Sequence, residues 1–200
     1  DADAISLLIE KTVSHFGGID IVINNAGAIY LTDTLSTDAK QYDLMQGINA
    51  RATFLLSRAA IPYLKKNGGH ILNMSPPISL EPRWLAPHVA YSISKFGMSM
   101  CTLGMAEELK EYKIAVNSLW PKTIIYTAAI TRLMGEDSMK NCRRPSIIAD
   151  AASWILSQDP KKVSGHLFLD EEVMKKAGIK DLEPYSFVPN AELVPDIYVS

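Results

Sequence analysis

Four short apolar runs, set apart by long amphipathic stretches, most constrain what this chain can fold into. Ile19 to Ile23 runs into Asn24-Asn25-Ala26-Gly27, His70 to Met74 into Ser75-Pro76-Pro77, and Ile114 to Leu119 into Trp120-Pro121, while Gly165 to Leu169 is the last of the four. Runs of this length that do not alternate with polar residues are buried on both faces, which is the condition of a strand inside a parallel sheet.

The stretches between them carry a helical period. Ile5, Leu8, Ile9, Val13 and Phe16 space out a first helix over residues 4–16, with Gly17-Gly18 as its stop. Residues 37–66 read as a second helix with Pro62 in its last turns, and residues 89–112 as a third. A short helix near 125–134 and another over 146–157 complete the alternation. Repeated strand-helix units of this size predict one α/β domain over residues 1–170, a doubly wound parallel sheet with helices on both faces. Such sheets take their ligands at the carboxyl ends of the strands. Residues 171–200 contain Pro184, Pro189 and Pro195 and read as a tail, packing on the domain surface or leading into a linker.

Composition closes off several function classes. With 20 basic and 22 acidic residues the formal charge is -2, and no block of like charge offers a footprint for nucleic acid. No uninterrupted apolar stretch is long enough to insert stably in a membrane, and the first residues lack the plan of a signal peptide. Cys101 and Cys142 have no Cys-x-x-Cys spacing. The four histidines show no metal-ligand spacing, so no metal is expected.

Chemistry concentrates in Tyr91-Ser92-Ile93-Ser94-Lys95, where a phenol and an ammonium four residues apart share one helix face. A positive charge about 4 Å from the phenol at an effective dielectric near 20 is worth roughly 4 kcal/mol, about three pKa units off a value near 10. A tyrosine so shifted exchanges protons near neutral pH, protonating a carbonyl oxygen as hydride arrives or deprotonating an alcohol as hydride leaves. Asn25, Ala26 and Gly27 follow the first strand where the ligand crevice should lie, with a glycine that lets backbone approach a cofactor.

Taken in order, Asn-Asn-Ala-Gly, an asparagine in the next helix, a serine at the following strand end, Tyr-x-x-x-Lys and a proline after the next strand resemble the short-chain dehydrogenase/reductase family. The resemblance implies a Rossmann-like fold and hydride transfer between a nicotinamide cofactor and a carbonyl or secondary alcohol. It implies Tyr91 as general acid/base and Lys95 as the group that lowers its pKa and binds ribose. Asn49, 22 residues beyond Gly27, would support a proton relay. Asn25, Ala26, Gly27, Tyr91, Lys95, Pro121 and Thr127 would then meet the cofactor. Longer matches at 71–77, 91–100 and 119–123 point to a branch of the family tied to lipid metabolism. They imply NADP with NAD as the alternative, a peroxisomal or mitochondrial location without a signal in this chain, homo-oligomerisation, and a sterol-carrier domain downstream. The apolar Trp84, Leu85 and Pro87 agree with a small hydrophobic substrate.

Departures from the family pattern matter as much. The usual substrate-orienting serine, 13 residues before the tyrosine, is Ile78, and the position counted from the strand is Pro76, which leaves Ser75 as the candidate. One lost donor to a developing oxyanion costs about 10²- to 10³-fold in rate. The chain has no Gly-x-x-x-Gly-x-Gly turn, so it is expected to be N-terminally truncated and to hold a dinucleotide poorly by itself. A weakly active or inactive nucleotide- or lipid-binding scaffold is therefore the competing expectation.

Overall fold

The structure, a computed structural model, describes residues 1–199. Four strands, β1 (Ile21–Asn24), β2 (Gly69–Asn73), β3 (Ile114–Trp120) and β4 (Leu167–Leu169), pair in parallel in the order β1-β2-β3-β4. The register sets Asn24 beside Asn73 and Asn73 beside Ser118, so all the strand ends open on one edge.

Helices α1 (Ala2–Phe16), α2 (Ala39–Met45), α3 (Ala52–Asn67), α4 (Pro82–Leu85) and α5 (Val89–Glu108) come before β3. Helices α6 (Ala128–Met134), α7 (Ser146–Leu156) and α8 (Asp170–Lys176) follow it. Successive strand residues point to opposite faces, and two cores result. Val22, Ile71 and Val116 pack with Ile9 of α1, Leu64 of α3 and Met105 of α5. Leu72, Leu119 and Phe168 pack instead with Ile147, Ala151 and Ile155 of α7 and with Val173 and Met174 of α8. Each of these side chains larger than alanine, fully buried, contributes about 1.5–3 kcal/mol. Strand β1 departs furthest from this two-sided burial. It pairs with β2 alone, and Ile21 and Ile23 are 46% and 47% exposed while Val22 is covered.

The single long helix expected over 37–66 is divided. Asp38 caps α2 by accepting from Gln41 N while the Gln41 side chain accepts from Asp38 N, and a wide π-turn over Gln46–Arg51 then leads into α3. Helix α5 crosses this turn so closely that a Cβ on Gly97 would lie 2.8 Å from the Ala50 methyl. Residues 171–176, expected to begin a tail, form α8 together with Asp170 instead. Asp170, Glu171 and Glu172 in its first turn and Lys175 and Lys176 in its last complement the helix dipole.

The end of the chain is not confined to the surface either. Residues 194–196 run beside the loop after β3, with Ile124 N donating to Val194 O at 2.9 Å and Asp196 N to Lys122 O at 3.0 Å. Tyr198 and Val199 are then buried with Phe96 and Trp120 in a third cluster at the strand ends.

Two positions test this architecture. A Cβ on Gly69 would fall on the Asp20 carbonyl oxygen, so Gly69→Ala should lower stability by about 3 kcal/mol in denaturant titration. Asp170 is fully buried and accepts from Lys122 N at 2.8 Å and Glu171 N at 2.7 Å, while its other oxygen has no partner among the described residues. Burial pushes its pKa up from 3.8 to about 6, against the pull of those two N–H donors. The folded state therefore holds a proton that the unfolded chain releases, and this group costs stability as pH rises from about 4 to 6. Asp170→Asn should gain about 2–3 kcal/mol on the parent chain between pH 4 and pH 8, read from unfolding curves at both pH values.

Candidate active site

At the carboxyl edge of the sheet, the first turn of α5 carries Tyr91 and the next turn Lys95, 4% and 6% exposed. Tyr91 lines a cavity of about 290 Å³ whose wall includes Ile29, Met74, Trp120, Pro121, Thr127 and Asp196. A larger depression of about 630 Å³ lies at the other end of β3 among Lys110, Lys113, Lys161 and Lys162, all exposed, and is remote from the strand ends.

Asn49 joins three segments. Its Oδ1 accepts from Ala28 N at 2.8 Å, and its Nδ2 donates to Ala28 O and to Ser94 Oγ, both at 2.9 Å. The π-turn makes this possible by widening the backbone where the asparagine sits, and such turns recur at functional sites. Asn24 and Asn73 extend the polar network below. Asn24 Nδ2 donates to Asn73 Oδ1 at 2.7 Å and Asn73 Nδ2 to Thr102 Oγ1 at 2.8 Å, so neither buried amide is stranded.

Gly27 faces this group without a side chain. A Cβ there would stand 3.3 Å from Asn49 Oδ1 and 3.6 Å from Lys95 Nζ. Asn25, Ala26 and Gly27 are themselves open to solvent. The opening over Gly27, the ammonium beside it and the cavity wall fit the nicotinamide and ribose end of a dinucleotide. The described residues provide no glycine-rich turn for its phosphates.

Electrostatics at the site differ from the expectation of a phenol acidified by Lys95. Lys95 Nζ donates to Met74 O at 2.9 Å and sits 5.3 Å from the centre of the Trp120 ring. Tyr91 is held well above its ordinary pKa, first by burial and then by the nearby Tyr198 and Asp196. Burial brings Lys95 down to about 8, opposed by Asp196. The dominant force on the phenol is thus loss of water, and the lysine charge is directed at a backbone carbonyl.

The structure brings Tyr91, Lys95, Asn49, Gly27, Pro121 and Thr127 to one edge. Thr127 also caps α6, accepting from Ile130 N at 3.4 Å. Ser75 stays apart: it is fully buried, its hydroxyl has no partner among the described residues, and it is not on the cavity wall. The adjoining Pro76 is clamped from the other side, its carbonyl accepting from Ser99 Oγ at 2.6 Å. Sequence reasoning missed Asp196, Ile197 and Tyr198. Trp120 Nε1 donates to Ile197 O at 3.0 Å and the Tyr198 hydroxyl pairs with Ser92 Oγ at 2.9 Å, across separations of 77 and 106 residues. The one signal was an apolar pair flanking a carboxylate within a proline-bearing tail. Among the described residues no three His, Cys, Asp or Glu side chains converge as a metal site, and no helix is long and apolar enough to cross a membrane.

Comparison with known proteins agrees with this geometry. Residues 1–136 match the short chain dehydrogenase family. The chain is 54% identical over 200 residues to hydroxysteroid dehydrogenase-like protein 2 of Xenopus tropicalis and 50% identical to the protein of that name in Homo sapiens, matching along all of its own length. It covers 48% and 47% of those two proteins, so it spans about half the length of the curated relatives it matches. The crystal structure of a putative dehydrogenase from Xanthomonas campestris superposes with a TM-score of 0.95 at 43% identity, over the whole of this chain and 74% of that one. A parallel sheet ending in this tyrosine-lysine turn, together with a match over residues 1–136, establishes that the chain belongs to the short-chain dehydrogenase/reductase family.

Proposed function

We propose that the protein is a nicotinamide-dependent oxidoreductase that interconverts a carbonyl and a secondary alcohol on a small hydrophobic or lipid-like substrate. The observation that carries this reading is the placement of Tyr91 and Lys95 on consecutive turns of α5, with Tyr91 on the wall of a largely apolar cavity and Lys95 beside the open Gly27. Family membership supports the reaction class. The apolar wall supports the substrate class.

Bound over Gly27, the nicotinamide would give or take the hydride, with NADP the cofactor favoured by the resemblance and NAD the alternative. The chain's own residues manage the proton. Tyr91 gives its hydroxyl proton to the carbonyl oxygen in reduction and recovers one from the alcohol in oxidation. Lys95 stands ready to turn from Met74 O to a ribose hydroxyl, which would bring its charge toward the phenol and lower the raised Tyr91 pKa. Asn49 fixes the Ala28 backbone and Ser94, and thereby the turn that presents Lys95. The apolar wall excludes water, strengthening each of these electrostatic effects.

The competing reading, a binding scaffold with little turnover, draws on the withdrawal of Ser75 from the cavity and the high Tyr91 pKa. Assay of the whole protein with NADPH and NADH against apolar ketones and secondary alcohols, beside Tyr91→Phe, separates the two. The oxidoreductase reading expects the substitution to lower kcat by about 10²- to 10⁴-fold. Equal turnover by both forms would refute the tyrosine mechanism, and absence of turnover in the parent would favour the scaffold.

We also propose homo-oligomerisation through α5. Val89, Ile93, Met100 and Leu103 form a helical stripe of side chains 37% to 63% exposed, and the first three border an apolar hollow of about 420 Å³ with Leu80 and Phe96. Sedimentation of the parent at micromolar concentration should show a dimer or larger species, and Ile93→Glu should shift it to monomer. A monomeric parent would overturn this assignment.

A further inference from the structure

We infer that Asp196 is a substrate-contacting residue, whose carboxyl group supplies the second hydrogen bond to the reacting oxygen in the cavity that Tyr91 lines. The inference rests on the reading of that cavity as the substrate site.

The geometry begins with the strap. Asp196 is held in place from both sides, its N–H donating to Lys122 O at 3.0 Å while the next residue accepts from the Trp120 indole N–H at 3.0 Å. Pro195 bridges to Thr123 and Tyr198 is anchored on Ser92, so the strap cannot swing without breaking contacts on α5 and on the loop after β3. One carboxyl oxygen accepts from Ile197 N at 2.7 Å, and the residue lines the cavity.

The rest of the wall narrows the choice. Its side chains with hydrogen-bonding groups are Tyr91, Trp120, Thr127 and Asp196; the Trp120 indole N–H is taken by Ile197 O, and the Thr127 oxygen accepts from Ile130 N at the start of α6 while its hydroxyl proton stays free. Ser75 is buried away from the wall and Pro76 has no donor. A carbonyl oxygen that gains negative charge as hydride arrives needs more than the one hydroxyl of Tyr91. In its neutral form the Asp196 carboxyl is a donor, and its surroundings favour that form: burial and the charge of Asp170 push its pKa up to about 7, against the Ile197 N–H, the Trp120 indole and Lys95. Tyr91 and Lys95 from α5, Asp170 from α8, Tyr198 of the strap and Cys142 are the titratable groups within its field. As pH rises through 7 the donor becomes a carboxylate that repels the same oxygen.

Calorimetric binding to the whole protein tests this without turnover, with 4-phenyl-2-butanone as the carbonyl probe and butylbenzene as its apolar counterpart. The parent should bind the ketone about tenfold more tightly than the hydrocarbon at pH 6 and lose most of that preference at pH 8.5. Asp196→Asn, whose amide donates at every pH and whose oxygen can still accept from Ile197 N, should keep the preference at both. Asp196→Leu should show, at both, only the smaller preference that Tyr91 alone supplies. A preference in Asp196→Leu equal to that of the parent at pH 6, or the parent's pH dependence in Asp196→Asn, overturns the assignment. If Asp196→Leu keeps the full preference and Tyr91→Phe loses it, the cavity remains the substrate site and Asp196 alone is excluded. Failure of the parent chain to bind either probe overturns both the cavity and Asp196.

Discussion

The site depends on one side-chain amide. Asn49 binds both the N–H and the C=O of Ala28 and also holds Ser94, so the turn after β1, the π-turn and α5 are set relative to one another by a single fully buried residue. A buried amide with unmet donors would cost about 1–3 kcal/mol per group, so this arrangement is either complete or strongly unfavourable. Its completeness is what permits Gly27 to stay open. The backbone of the turn is fixed from below by Asn49, and no side chain from the turn itself has to fill the space before Lys95.

Much of the fold was legible because it follows from local periodicity. The four apolar runs became the four parallel strands, and the helices over 146–157 and 89–112 were found to within a few residues. Where the reading fell short, the cause was non-local or too short-ranged to carry a period. The π-turn at Gln46–Arg51 has the same apolar spacing as the helices around it, and only the need to reach Ala28 distinguishes it. Helix α8 is short enough that its charged ends, not its apolar face, were the better signal.

The candidate site divides along similar lines. Tyr91, Lys95 and Gly27 could be found because they lie in short motifs, and Asn49 because it stands where the family has its helix asparagine, 22 residues beyond Gly27. Asp196 and Tyr198 could not, since their neighbours on α5 and β3 are about 70 to 110 positions away in the chain. The sign of the Tyr91 pKa shift was also out of reach. A helix spacing reveals that an ammonium can approach a phenol, but not that a backbone carbonyl at Met74 receives it instead.

The strap gives the molecule an order of assembly. During synthesis, β1, β2, β3 and α5 leave the ribosome well before residues 194–199, and the sheet can form around its cores while the cavity still lacks one wall. Tyr198 then enters among Trp84, His88, Phe96 and Trp120, with ring centres 5.0 to 6.5 Å away. The cores can therefore form before Tyr198 packs between α5 and β3, and Asp196 and Ile197 join the cavity wall only once those later residues have been made.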